Sequence, residues 1–146
     1  MSHARTQIRD AIFGILDIAI SNVTIQKSRI YPIGEGKLPA ILIYARQENL
    51  QEVTISKPRT HFRSLSLVIE VIAKANSNLD QTLDDIAVQI EEALSADTTL
   101  GGLVKNTILQ TTDIQYLDEG DKPHGVMLMT YSVTYAVKET APQTLI

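Results

Sequence analysis

The sequence predicts an α+β fold in which a mainly antiparallel or mixed β-sheet carries two amphipathic helices on one face. Two neighbouring stretches with different periods support this prediction. Residues 62–74, FRSLSLVIEVIAK, place apolar side chains at alternate positions, which is the period of a β-strand. Residues 79–94 place them at spacings of three and four, which is the period of a helix that is covered on one side.

The composition indicates one folded domain with few specialised features. The chain has 146 residues, of which 44% are apolar, and we expect residues 1–138 to form a single domain and the aperiodic residues 139–146 a poorly ordered tail. The absence of cysteine excludes disulfides and thiolate metal sites. The net charge of −4 gives no general attraction to DNA or anionic lipid.

The first helix is predicted from Ser2, as N-cap, to about Ser21. Asp10 and Asp17 interrupt its apolar run, so we expect neither a signal peptide nor a membrane span, and the absence of cysteine suits a protein made in the reducing cytoplasm. The side chains predicted to be buried are Ile8, Ala11, Ile12, Ile15, Leu16 and Ala19. A modest strand is predicted over residues 23–31, followed by a loop over residues 32–37.

The middle of the chain predicts two strands around a polar stretch. Residues 38–44, LPAILIY, form a continuous apolar run that is typical of a strand covered on both faces. Residues 45–58 are polar and predict a hairpin tip or a mobile excursion with a functional role. The strand over residues 62–74 would reach about 43 Å, so we expect it to lie centrally and to extend past its neighbours at one end.

The second helix is predicted to begin after residues 76–78 and to end before Gly101 and Gly102, because glycine accepts the left-handed conformation of helix exits. Two further strands follow at residues 107–117 and 125–138, joined by a hairpin connection. In the first of these, Ile108, Ile114 and Tyr116 are predicted to lie on one side.

The residues that catalysis or metal binding requires are absent or badly spaced. There is no GxSxG motif, and His3, His61 and His124 are not at ligand spacing. The acidic pairs at 84–85 and 91–92 are typical of the solvated face of a helix. We therefore expect no catalytic, cofactor or metal site, and a protein that is not an enzyme.

Two charged patches remain as candidate contact surfaces. Lys57, Arg59, His61 and Arg63 are spaced by two, which places them on one side of an extended chain. An acidic group at Asp118, Glu119 and Asp121 occupies the last hairpin connection. Opposite patches suit contact between copies of the chain, because complementary fields set the register of an interface. The alternative is that both patches are ordinary solubilising surface.

The order of these parts resembles the tail terminator proteins of long-tailed bacteriophages, of the minor tail protein U type. The resemblance covers nearly the whole chain and consists of fold-bearing patterns. The matching parts are the N-terminal helix, LPAILIY, the polar stretch with Glu48, the strand over residues 63–74, LDDIAVQIEEAL with Asp97 and Leu100-Gly101-Gly102 after it, and MTYSVTY at residues 129–135.

The resemblance implies a structural role in the virion, at the junction of tail and head. Such a protein forms a homohexameric ring on the completed tail tube, stops elongation and meets the head-completion or neck protein. DNA passes through the ring without specific binding, and no membrane, cofactor or metal is involved. The candidate subunit or tube contacts are Arg46, Glu48, Lys57, Arg59, His61, Arg63, Asp118, Glu119, Asp121 and Lys122.

Two alternatives stay open at this point. A head-closure or neck protein shares the same broad class, and the sequence does not separate it from a terminator. A small cytosolic enzyme or ligand-binding domain would need a pocket lined by scattered polar residues, for which the candidates are Arg46, Glu70, Tyr116 and Tyr131.

Overall fold

The computed structural model describes residues 2–28, 38–74, 78–117 and 124–146. Among these residues two helices pack on a six-stranded sheet, which confirms the predicted α+β class. The helices are α1 (Ala4–Ala19) and α2 (Leu79–Ser95). The strands are β1 (Thr24–Gln26), β2 (Ala40–Val53), β3 (Thr60–Lys74), β4 (Asn106–Leu117), β5 (His124–Lys138) and β6 (Ala141–Leu145).

The sheet is mixed and has the strand order β1-β2-β3-β5-β4. The β1–β2 pair is parallel, and the other pairs are antiparallel. The core lies between the two helices and one face of β2, β3 and β5, to which the alternate apolar residues of these strands point. The period-two predictions for β3 and β5 are confirmed, since Leu65, Leu67, Ile69, Val71, Met127, Met129, Tyr131, Val133, Tyr135 and Val137 are all buried.

Helix α1 differs from its prediction at both ends. Its N-cap is His3, whose Nδ1 accepts a hydrogen bond from the backbone N–H of Arg5 at 3.1 Å, and Ser2 lies outside the helix. The buried face is Ala4, Ile8, Ile12 and Leu16, with Ala11 and Ile15 partly buried. The prediction for Ala19 was wrong, because this residue is exposed at the last turn of the helix.

Helix α2 buries the predicted stripe, in which Leu83 and Ile90 are fully buried. Its N-cap is Asn78, whose φ is 59°, and Gly101 and Gly102, in the turn that follows the helix, have φ values of 73° and 87°. The helix lies very close to β5 at Gly125, where a Cβ atom would come within 2.8 Å of Leu83 Cδ1. A larger residue there would displace the Leu83 side chain, so glycine favours close packing of the helix on the strand.

Strand β2 is much longer than predicted, which corrects the interpretation of residues 45–58 as a loop. Its pairing with β3 continues from Ala45 to Val53, through register shifts at Ala45/Gln47 and Leu50/Glu52. Only residues 54–59 form the connection, which we call the hairpin tip. The predicted excursion is thus two-thirds strand, and the order of these residues comes from the ladder that they form with β3.

Strand β3 is central, as predicted, but it does not extend past β5. β5 pairs with it from Thr60↔Lys138 to Lys74↔His124, and β2 reaches His61. A protruding end as a contact surface is therefore excluded by the pairing itself. In β1, only residues 24–26 of the predicted strand are extended, and residues 29–37 lie outside the described part of the chain.

Strand β4 is an edge of the sheet, and a bulge divides it into two halves. A register shift between Leu109 and Thr111 places Ile108 opposite Ser132 but Ile114 opposite Met127. Since paired residues share a face, Ile108 lies on the face away from the helices and Ile114 on the helix face. The prediction that both lie on one side was wrong, because the bulge reverses the alternation.

The tail that we predicted to be poorly ordered contains β6. This strand pairs with β5 through Val137↔Leu145 and Lys138↔Ala141. It occupies the part of β5 after Thr134, where β4 no longer pairs with it. Its backbone carbonyl at Gln143 accepts a hydrogen bond from Gln7 of α1 at 2.7 Å. The end of the chain therefore packs against the first helix.

Candidate functional site

A cluster of charged and polar side chains surrounds Glu48 at the end of the sheet nearest the start of α1. Its Oε2 accepts a hydrogen bond from Arg5 Nη1 at 2.7 Å and lies 3.5 Å from Arg63 Nη1. Its Oε1 accepts a hydrogen bond from the hydroxyl of Tyr135. We call these four residues the Glu48 cluster. It joins α1, β2, β3 and β5 in one place.

The register of β2 explains why Glu48 is available there. The bulge at Arg46 places Glu48 opposite Leu65, a fully buried residue, so the carboxylate points to the helix face. The side chains of Glu48 and Arg63 are only 16% and 15% exposed. Removing one partner would leave a largely desolvated charge, which costs about 1–3 kcal/mol or more.

The electrostatic surroundings of the cluster shift the ionisation of Tyr135 and His3. Burial, together with the hydrogen bond to Glu48, raises the pKa of Tyr135 to about 12. Burial and the positive charge of Arg5 lower the pKa of His3 from its ordinary value of 6.5. At neutral pH, His3 is therefore uncharged and its Nδ1 is free to cap α1.

The predicted basic stripe exists, but two of its members point to an acidic partner within the chain. Arg59 Nη1 lies 3.6 Å and His61 Nε2 3.7 Å from Glu139 Oε2. Arg63 belongs to the Glu48 cluster and lies 3.2 Å from Nδ1 of His61. Pairing within the chain thus accounts for most of this positive charge. The stripe fixes β3 to β2 and to the turn after β5.

The remaining predicted contact residues are divided between exposed and undescribed positions. Arg46 is exposed at the first bulge of β2, beside a cleft of about 230 Å³ that Arg5 and Glu48 also line. Lys57 is exposed in the hairpin tip. The acidic connection with Asp118, Glu119, Asp121 and Lys122 lies outside the described residues.

The hairpin tip is held by its own hydrogen bonds. The N–H of Thr54 donates to the carbonyl of Thr60 at 3.1 Å, and the N–H of Thr60 donates to Thr54 Oγ1 at 2.9 Å. Thr54 Oγ1 also contacts Ser56 Oγ at 2.9 Å. At the end of this closed turn, the side chain of Ile55 is 99% exposed. A fixed turn that presents an aliphatic side chain to solvent can contact another macromolecule with little loss of conformational freedom.

A second surface feature is a cleft of about 430 Å³ between the end of α2 and β4, which we call the α2–β4 cleft. Leu94, Leu109 and Tyr131 provide apolar lining, and Glu91 and Glu92 stand at its rim. Thr107 Oγ1 and the Tyr131 hydroxyl line it without a hydrogen-bond partner among the described residues. Burial and the charge of Glu91 raise the pKa of Tyr131, so its hydroxyl is a permanent donor.

The residues proposed for an enzyme pocket do not meet. Tyr131 faces the helices, Glu70 lies on the opposite face and accepts a hydrogen bond from Tyr44 at 2.7 Å, and Arg46 lies at the bulge of β2. Tyr116 lies near the start of α2, where a hydrogen bond with Asp80 raises its pKa. A pocket lined by all four residues is thus excluded.

Residues 2–28, 38–74, 78–117 and 124–146 contain no group of three or more acidic or histidine side chains placed to hold a metal ion. None of the helices in these ranges combines the length and the apolar character that crossing a membrane requires.

The features together define a class of protein. The charged residues around Glu48 and Glu139 join secondary-structure elements, and other exposed side chains and the clefts are available for contacts with other macromolecules. These features suit a protein that acts through contacts with other macromolecules.

The comparison with protein families identifies the family of this chain. The phage minor tail protein U family matches residues 3–135, and the chain belongs to this family. The resemblance stated from the sequence is thereby confirmed, and the protein is a structural, tail-related component of a phage virion. No curated protein matches the chain.

A solved structure has the same fold. It is a chain from the virion of a native gene transfer agent particle, with 14% identity and a TM-score of 0.54. The match covers 91% of this chain and 99% of that chain. At this identity the likeness shows the fold alone, and it extends over nearly the entire length of both chains.

Sequence reasoning missed three participants of the site, namely Arg5, Tyr135 and Glu139. The one usable signal was at Tyr135, because a tyrosine on the buried face of a strand needs a partner for its hydroxyl. Arg5 and Glu139 gave no such signal. Their partners lie far away in the sequence and depend on the register of the sheet.

Proposed function

We propose that this protein caps the completed tail tube as a homohexameric ring, stops tail elongation and presents its other face to the head-completion or neck protein. The observation that carries this proposal is the family match over residues 3–135. The solved structure of similar fold belongs to a gene transfer agent virion. A place in an assembled particle for this chain agrees with that setting.

The described surface supports an assembly role in physical terms. β4 is an edge strand, and an edge strand offers unpaired backbone groups to a neighbouring chain. Ile108, Ile114 and Tyr116 on this strand are 53%, 42% and 52% exposed. Burial of such side chains against another subunit contributes about 25 cal/mol per Å² of apolar surface removed from water.

The candidate contact residues take two different roles in this proposal. Arg46 and Lys57, which are exposed, contact a neighbouring subunit or the tube. Glu48, Arg59, His61 and Arg63 act indirectly, because their pairs fix the hairpin that carries the contacts. That larger group positions the surface. Asp118, Glu119, Asp121 and Lys122 are proposed as contacts from the sequence alone.

The charge of the chain suits a ring through which DNA moves. A protein that neutralises many phosphates holds DNA tightly, because it releases condensed counterions. The net charge of −4 gives this chain little of that attraction. We therefore propose that DNA passes without specific binding.

The proposal is tested by the mass of the protein in solution. Light scattering over a concentration series, followed by negative-stain imaging, should show open rings of the mass of six chains, either alone or on the ends of tail tubes. Binding to the neck protein without binding to tubes would favour the head-closure alternative. A monomer that binds neither tube ends nor neck protein would contradict the proposal.

A further inference from the structure

We infer that the hairpin tip of one subunit docks into the α2–β4 cleft of the next subunit, with Ile55 in the cleft and Lys57 against Glu91 and Glu92. This inference rests on the proposed ring and adds the contact by which subunits recognise one another. It assigns a function to two features that the Glu48 cluster does not involve.

The two surfaces are complementary in chemistry. The tip ends in an aliphatic side chain that is 99% exposed, followed two residues later by an exposed lysine. The cleft has an apolar lining of Leu94 and Leu109, and the charged side chains that line it are both glutamates. Insertion of Ile55 removes apolar surface of both partners from water, and the opposite charges fix the orientation.

The tip is also ready to bind without further ordering. Hydrogen bonds between Thr54 and Thr60 close the turn in the free subunit. A preformed element loses little conformational entropy when it docks, so more of the interaction energy appears as affinity.

A subunit cannot fill its own cleft, which is why the occupant is a second copy. The tip continues the end of the sheet at Val137, whereas the cleft lies at Ser132 and its partner Ile108, about 17 Å away along β5. The two features also lie on opposite sides of the strand order, at β2 and at β4. A contact between two different patches is heterologous, and repetition of such a contact closes a ring when the rotation permits it.

Cysteine cross-linking tests the contact directly, because the chain has no cysteine of its own. Ile55→Cys is combined with Thr98→Cys, a residue that lines the cleft. A matched control combines Ile55→Cys with Ile18→Cys, since Ile18 is also strongly exposed but lies on α1. Both variants are assembled as rings, oxidised and analysed by denaturing electrophoresis and imaging.

The outcomes separate this inference from the proposed function. A ladder of cross-linked chains from the first pair, and none from the control pair, supports the contact. Rings without a ladder would overturn the contact and leave the ring intact. If the unmodified protein forms no rings on its own or on tube ends, the proposed function fails, and this contact fails with it.

An exchange of charges tests the proposed pairing of Lys57 with Glu91 and Glu92 without introducing cysteine. Lys57→Glu should raise the midpoint concentration of assembly about tenfold. Adding Glu91→Lys and Glu92→Lys to Lys57→Glu should restore it. Glu52→Lys, a charge change on exposed β2, serves as control and should leave the midpoint unchanged. Loss of assembly that the exchange does not restore would contradict the pairing.

Discussion

The hydroxyl of Tyr135 on β5 donates a hydrogen bond to the carboxylate of Glu48 on β2, across the intervening strand β3. The two residues are 87 positions apart in the sequence, and Tyr135 is fully buried. The same carboxylate pairs with Arg5 and Arg63. One side chain thus ties the first helix to three strands at the base of the hairpin.

We expect Glu48→Gln to lower the free energy of unfolding by about 1–3 kcal/mol, because Arg63 loses its carboxylate in a poorly solvated place. Tyr135→Phe should cost a similar amount. The double variant should cost less than the sum of the two, since both changes remove the same hydrogen bond. Urea unfolding of the four proteins measures this coupling.

Arg5→Gln is the matched control for the double-mutant cycle of Glu48 and Tyr135. The Arg5 side chain is 41% exposed, so water compensates for the lost pair and the cost should be only about 0.2–1 kcal/mol. Equal costs for Arg5→Gln and Glu48→Gln would contradict the view that Glu48 organises the cluster.

The N-cap of α1 should respond to pH through His3. The pKa of His3 is lower in the folded protein than its ordinary value of 6.5, so the unfolded chain takes up the proton first. The free energy of unfolding should therefore decrease as the pH falls through 6.5 towards the folded pKa, and should change no further below it. Protonation also removes the Nδ1 acceptor of the cap.

His3→Ser provides the comparison, because serine caps a helix without titrating in this range. The difference in the free energy of unfolding between the two proteins should change between pH 7 and pH 5. The other histidines are present in both proteins, and their contributions cancel in the difference. A difference that is constant over this range would show that His3 does not titrate as described.

The loop after α2 should be sensitive to acid at Asp97. Its carboxylate accepts hydrogen bonds from Thr99 Oγ1 at 2.9 Å and from the N–H of Gly101 at 2.7 Å, and these bonds lower its pKa from the ordinary value of 3.8. A lowered carboxyl pKa contributes stability that is present above pH 3.8 and is lost as the pH falls through the folded value.

Asp97→Asn should accordingly be less stable than the unmodified protein at neutral pH. The difference in stability between the two proteins should become smaller in strong acid. Asp113→Asn, on the exposed part of β4, controls for the loss of one surface carboxylate. Thermal unfolding at pH 7, 5, 3.5 and 2.5 measures this difference in stability. An equal difference in stability at every pH would rule out stabilisation of the loop by the Asp97 carboxylate.

The sequence predicted the parts of the fold that depend on local periodicity. The alternation in β3 and β5 and the stripe of α2 are each contained in a single segment, so they can be read without knowledge of any partner. The extension of β2 to Val53 could not be predicted this way. Its side chains are polar, and its backbone is held by pairing with β3.

Features that depend on the register of the sheet could not be predicted from the sequence for the same reason. The bulge at Leu109/Thr111 reverses the faces of β4, and no residue there signals it. The partners of Glu48 come from positions 5, 63 and 135, which only the folded sheet brings together. The basic stripe was predicted as a free surface, although its charges are mostly paired with Glu48 and Glu139.

The central claim is that this protein ends tail growth, and tube length measures it most directly. The tail tube protein of the same phage is polymerised alone and with increasing amounts of this protein, and the tubes are measured by electron microscopy. We expect tubes to stop growing and to carry a ring at one end, at an amount of protein set by the number of tube ends. Tubes that grow to the same lengths with bare ends would contradict the account.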